Sequence, residues 1–258
     1  MHAMRHPNII QLYGASLRPP HMCLVLEYAS HGGLDEVLRR EGPPRAAAAS
    51  GAAGSPGSVA HAWKERIQIA VDTARGLTYL HSRNVLHRDV KSANVLLMEG
   101  MARRVAKLAD FGLAVVKNES STLATVSSAG TTNWKAPELF SKKGRATPAS
   151  DMYAYACVLY ELAAGEAPWM DEAPGDIVGM VAMGERPDMP QECLPKFWEL
   201  TQEGWAQKPE ARISFVDIMD RLDDELRRNE FPVGDDDEEE KRRRRREEEK
   251  EEEEEAER

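Results

Sequence analysis

Apolar residues near the start of the chain come in two short runs, 9–13 and 22–28, parted by Gly14 and Pro19-Pro20. Runs of that length bounded by glycine and proline predict two strands joined by a turn. Residues 34–40 follow Gly32-Gly33 and predict a helix. The stretch from Pro43 to about Val59 is rich in Ala, Gly, Ser and Pro and has no apolar period, which predicts a flexible surface insertion at 43–60. Helical spacing then dominates. Ile67, Ala70, Val71, Ala74, Leu77 and Leu80 lie on one face of a helix over 63–81. Val85-Leu86 and Val95-Leu96-Leu97 read as short buried strands. Ser150-Asp151 precedes an apolar helix over 152–164 that ends at Gly165 and Pro168 and holds Glu161. Helices over 175–183, 194–205 and 214–227 complete the pattern, the last capped by Ser214 with Asp217 three residues on. A small sheet followed by many helices is an α+β arrangement.

Composition refines this picture. Hydrophobic residues make up 41% of the 258, enough for a sizeable core. The net charge of −10 is uneven: residues 235–258 carry 15 acidic and 8 basic side chains. That tail is built of like-charge blocks and fits either a solitary charged helix or a solvated disordered segment. The rest is nearly balanced in charge, which argues against nucleic-acid binding. Cys23, Cys157 and Cys193 are few, odd in number and far apart, with no CxxC or Cys/His cluster to hold zinc. Reduced thiols suit a cytoplasmic protein. The cluster Lys241 with arginines 242–246 leaves a nuclear address open, and the tail could also meet a protein partner. The run 152–164 is too short to span a bilayer and contains a charge, so no membrane association is expected. The N-terminus shows no signal-peptide pattern.

Three motifs carry the chemistry. His87-Arg88-Asp89-Val90-Lys91-Ser92-Ala93-Asn94 is followed by Asp110-Phe111-Gly112 and then by Ala136-Pro137-Glu138. In this order they resemble the catalytic loop, the magnesium loop and the end of the activation segment of a eukaryotic protein kinase. The resemblance covers residues 1–228 apart from the insertion. It implies a protein-kinase-like fold, ATP and Mg2+ as cofactors, and a protein substrate. Asp89 would accept or orient the proton of the attacking hydroxyl, and Lys91 would face the transferred phosphoryl group. Asn94 and Asp110 would hold magnesium. Thr131 would bridge Asp89 and Lys91.

Lys91 and Gly130-Thr131 resemble the Ser/Thr-specific pattern. Trp134, Gly204-Trp205 and Arg212 resemble the tyrosine-kinase-like group, which includes mixed-lineage and Raf-type kinases. Leu24-Val25-Leu26-Glu27-Tyr28-Ala29 resembles the strand and hinge that hold adenine. Leu26 would be the gatekeeper, the Glu27 carbonyl and Ala29 amide would bond the adenine edge, and Leu96 would lie beneath the ring. The resemblance also implies a Glu138–Arg212 ion pair and an Asp151 that accepts amides of the catalytic loop. Leu12, His87 and Phe111 would belong to an apolar spine, and Gly112 would complete the magnesium loop. Arg88 would be neutralised by a phosphorylated activation segment. Thr122, Thr125, Ser127 and Ser128 are candidate phosphorylation sites there.

The same resemblance places His6-Pro7-Asn8-Ile9-Ile10 just after the small-lobe helix. Between Met1 and that point there is no room for a glycine loop, a strand Lys or the helix Glu that pairs with it. Residues 1–28 would thus be a remnant of the small lobe, 29–229 the large lobe with its insertion at 43–60, and 230–258 a charged tail. A two-stranded remnant would leave Ile9, Leu12, Leu24 and Leu26 uncovered. The chain alone is expected to be a poor Ser/Thr kinase. The alternative is a non-catalytic kinase-like module that binds or scaffolds a partner.

Overall fold

A computed structural model describes residues 4–16, 23–44, 56–110, 129–191 and 193–228. Strand β1, Leu12–Ser16, pairs antiparallel with β2, Cys23–Leu26, so that Leu12 faces Leu26 and Ser16 faces Cys23. The first strand lies later than the apolar pattern predicts. Ile9 and Ile10 leave that sheet and dock on the large lobe instead: Ile9 bridges Leu108, and the Ile10 amide donates to the Leu108 carbonyl. Both are buried, which corrects the expectation that Ile9 would be uncovered. Leu12, Leu24 and Leu26 do stand open, at 39%, 62% and 43% exposure.

A second sheet runs in the order β3 (Gly32–Gly33), β4 (Val95–Glu99), β5 (Arg104–Leu108), all antiparallel. Alternation decides its two faces. Val95, Leu97, Ala106 and Leu108 point into the core, while Leu96, Met98, Val105 and Lys107 face outward, half-exposed. Val85 and Leu86 are buried without joining a named strand.

The helices are α1 (Leu34–Glu41), α2 (Pro56–Ser82), α3 (Pro148–Ala164), α4 (Pro174–Met183), α5 (Pro195–Gly204) and α6 (Phe215–Arg228). Helix α2 starts ahead of its apolar stripe, so the backbone of 56–60 is helical rather than part of a loop. Proline suits a helix start, having no amide to leave unpaired, but a Gly-Ser-Val-Ala sequence carries no apolar period to reveal it. Helix α3 also starts earlier than predicted. Thr147 is its N-cap and forms a reciprocal capping box with Ser150, and Gly165 closes it in the left-handed region at φ 78°. Ser150 and Asp151 therefore sit inside the first turn. Ser214 caps α6 as predicted, its Oγ 3.1 Å from the Asp217 amide.

Apolar burial is centred on α2 and α3. Ile67, Ala70, Leu77, Leu159, Leu162, Phe197, Ile218 and Leu222 are all effectively inaccessible and belong to one cluster. Gly76 in mid α2 has a packing reason. A Cβ there would lie 2.6 Å from the Asn8 carbonyl oxygen and 2.8 Å from Leu108 Cδ1. The strand-like segment 8–10 and β5 thus cross α2 at a residue without a side chain. A smaller cluster, Ala136, Tyr153, Cys157, Ile177, Val181 and Trp205, joins α3 to α4 under the segment around Pro137.

Candidate active site

The loop from His87 to Asn94 is held at both ends by α3. At its start, the buried Asp151 carboxylate accepts the His87 amide at 2.9 Å, the Arg88 amide at 3.0 Å and His81 Nε2 at 2.8 Å. Farther along, the carboxylate of Glu161 accepts the Ser92 amide and hydroxyl, and at 2.7 Å the indole Nε1 of Trp134. Buried carboxylates need such donors, and each here takes three. Burial nevertheless wins at Glu161, whose pKa is pushed up to about 7 from its ordinary 4.5, with Asp35 adding a little repulsion.

Between these anchors the polar groups converge. Asp89 Oδ2 lies 2.7 Å from Lys91 Nζ and 3.0 Å from Asn94 Nδ2, which also donates to the Asp89 carbonyl at 2.7 Å. His87 is fully buried, and burial holds its pKa below the ordinary value, so the ring is neutral. Its Nε2 donates to the Ala109 carbonyl at 3.1 Å and its Nδ1 accepts the Asp89 amide at 3.4 Å. The neutral ring thereby ties the loop to the residue before Asp110. A further bond, Ala109 amide to Asn94 carbonyl at 2.9 Å, sets Asn94 beside the start of the Asp110 segment. Arg88 and Asp110 adopt positive φ, 68° and 55°. Non-glycine residues in that region cost energy and concentrate at sites where a side chain must be aimed.

The segment expected to form the hinge is tied to the start of β1 and to β5. Glu27 is bonded to Gln11 twice, amide to carbonyl at 2.8 Å and carboxylate to amide at 3.1 Å. Its other carboxylate oxygen lies 2.7 Å from Lys107 Nζ. Leu26 precedes it on β2, Ala29 follows it, and Leu96 lies on the half-exposed face of β4. Glu138 and Arg212 form a two-pronged pair at 2.8 Å on each prong, and Arg212 also donates to the Ala149 and Ala206 carbonyls.

The full sequence matches the family described as protein tyrosine and serine/threonine kinase over residues 1–222. The chain belongs to that family. This kinase is similar to the serine/threonine-protein kinase STY17 of Arabidopsis thaliana, 34% identical over 88% of the chain and 36% of the relative. It is similar also to the probable serine/threonine-protein kinase drkD of Dictyostelium discoideum, 38% identical over 84% of the chain and 15% of the relative. Human mitogen-activated protein kinase kinase kinase 10 is 36% identical over 86% of the chain and 22% of the relative. The chain spans little more than a third, or less, of the length of these relatives. They place it among tyrosine-kinase-like Ser/Thr kinases, and protein kinases as a family use ATP and Mg2+.

Of the residues singled out in the sequence, the fold brings Asp89, Lys91 and Asn94 together and puts His87 and Asp151 directly behind them. Glu138 meets Arg212. Asp110 is exposed at the end of β5's continuation. Phe111, Gly112, Thr122, Thr125, Ser127 and Ser128 lie outside the described residues, and Thr131 is described only as part of the 3-10 segment Ala129–Trp134. Sequence reasoning missed Glu161, Ser92, His81 and Lys107. A single charge within the otherwise apolar run 152–164 was the available signal for Glu161; the others gave none. Among the described residues no three His, Cys, Asp or Glu cluster as for a metal, and no helix is long and apolar enough to cross a membrane.

Proposed function

We propose that this kinase transfers the γ-phosphoryl group of ATP to Ser or Thr hydroxyls of protein substrates. The observation that carries this is the single loop in which Asp89 bonds both Lys91 and Asn94. Phosphoryl transfer demands mainly positioning and charge neutralisation, and this loop offers a proton acceptor, a cation and an amide within a few ångströms. ATP supplies the phosphoryl group, and magnesium would lower the charge on its oxygens. The residues fit such an ion. Asn94 and Asp110 carry oxygen donors, which magnesium prefers, and the Ala109–Asn94 backbone bond holds their segments side by side.

Asp89 would then take the substrate hydroxyl's proton at Oδ2. Lys91, already on that oxygen, would swing its ammonium toward the phosphoryl oxygens as substrate enters. Thr131 would bridge Asp89 and Lys91. Leu26, the Glu27 carbonyl, the Ala29 amide and Leu96 would hold adenine, with Phe111 and Gly112 completing the magnesium loop. Lys91 and the names of the relatives support Ser/Thr over Tyr specificity. Arg88 supports control by phosphorylation: its Nε is buried with no hydrogen-bond partner among the described residues. A phosphate on Thr122, Thr125, Ser127 or Ser128 would satisfy it.

The test is a mixed-peptide phosphorylation assay with phosphoamino-acid analysis. Phosphoserine and phosphothreonine are expected, with Asp89→Asn lowering the rate about 100-fold or more. Predominant phosphotyrosine, or a variant as fast as the parent, would overturn the assignment.

A further inference from the structure

We propose that Lys107 is a positioning residue of the nucleotide site, fixing the hinge above the cleft through Glu27. The inference rests on the adenine-binding role given above to the Glu27 carbonyl. Lys107 stands directly opposite Leu96 in the antiparallel β4–β5 pair. Directly opposed residues project from the same face of a sheet, so the lysine stem runs beside the residue placed under adenine. Its ammonium then reaches the Glu27 carboxylate at 2.7 Å, across 80 residues of sequence. The residue proposed to lie under adenine and the segment proposed to bond its edge are thereby tied by a single side chain.

Just past Ala29, Ser30 Oγ accepts the Glu99 amide at 2.8 Å and His31 Nε2 lies 2.6 Å from the Glu99 carboxylate, so that end of the segment is tied to β4. Among the described residues 4–29, Glu27 alone enters an ion pair with another described residue. The segment before β1 is fastened to β5 by backbone bonds at Asn8 and Ile10, but the β1–β2 sheet itself stands open. Both partners of the pair are mostly shielded, with side-chain exposures of 16% for Lys107 and 19% for Glu27. Shielding strengthens an ion pair relative to an open surface one. Because Glu27 also takes the Gln11 amide and gives its own amide to Gln11, its backbone cannot shift without disturbing β1. Lys107 therefore sets the height of the Glu27 carbonyl over Leu96.

The test measures Mg·ADP binding by calorimetry and amide exchange at Gln11 and Glu27 on the whole chain. Lys107→Met should weaken binding about tenfold and speed exchange at both amides, while Lys107→Arg, which keeps the charge, should recover most of both. Glu27→Gln should weaken binding similarly, and adding Lys107→Met to it should change little more, the signature of a shared interaction. Unchanged affinity and exchange in Lys107→Met, or full additivity of the two substitutions, would overturn the proposal. Were the parent chain to bind no Mg·ADP, the adenine reading would fail by itself, and the exchange rates would still decide whether Lys107 anchors Glu27.

Discussion

Glu161 is a carboxylate buried within the apolar helix α3. It ionises near pH 7 in the folded protein against about 4.5 when exposed, because burial outweighs its three donors. The folded state thus binds a proton more tightly than the unfolded one. Its contribution to stability is full below pH 4.5 and is lost as pH rises through 7, about 3 kcal/mol in all. Glu161→Gln keeps an oxygen for Ser92 and Trp134 but removes the titration. Denaturant midpoints of the parent should fall, relative to the variant, between pH 5 and 8; parallel profiles would contradict this. Arg212 is a second decisive residue. Its guanidinium is almost wholly enclosed by Glu138, the Ala149 and Ala206 carbonyls and the Tyr153 ring. Arg212→Ala strands the Glu138 carboxylate and should destabilise the fold by roughly 3–5 kcal/mol in chemical denaturation.

Helices do the positioning at the next scale. Helix α3 supplies both carboxylates that hold the loop from His87 to Asn94, and Asp151 sits in its first turn beside the cap, so the capping bears directly on that loop. Thr147→Ala removes one half of the capping box and should cost about 1 kcal/mol, measurable as a lower melting temperature. Helix α2 gives the opposite lesson about propensity. Replacing Gly76 by Ala would favour an isolated helix by about 1 kcal/mol. Here the added methyl meets the Asn8 carbonyl and Leu108, and overpacking of that kind costs about 1–3 kcal/mol. Gly76→Ala is expected to lower stability and to loosen Ile9 and Ile10 from β5, visible as faster amide exchange at Ile10 and Leu108. A stabilised variant would mean the segment can move aside freely.

For the molecule as a whole, burial is unequal. The helical core around α2 and α3 is closed, while on β2 Leu24 and Leu26 stand open to solvent. Residues 1–30 contain one glycine and no lysine, so within them no glycine loop or strand lysine can grip the phosphates. The polypeptide 1–258, prepared by itself, should therefore phosphorylate peptides well below the roughly 1 per second at the low end for kinases. Turnover at that rate with micromolar ATP would refute this. Its open apolar strands should also make it prone to self-association, seen by light scattering.

The catalytic triplet of motifs, the kinase resemblance and most helices were legible in the sequence because each is local. Asp89, Lys91 and Asn94 are spaced within one loop, and a repeat such as Ile67, Ala70, Ala74 and Leu77 fixes both the helix and its buried face. Where local signals were mute, boundaries slipped: α2 began before its apolar stripe, and Ile9 chose β5 over β1. Tertiary structure alone decided which distant groups meet. Lys107 and Glu27, or Ser92 and Glu161, lie 80 and 69 residues apart. No spacing encodes such a contact. It arises when packing brings two surfaces together and a buried charge must find a partner there.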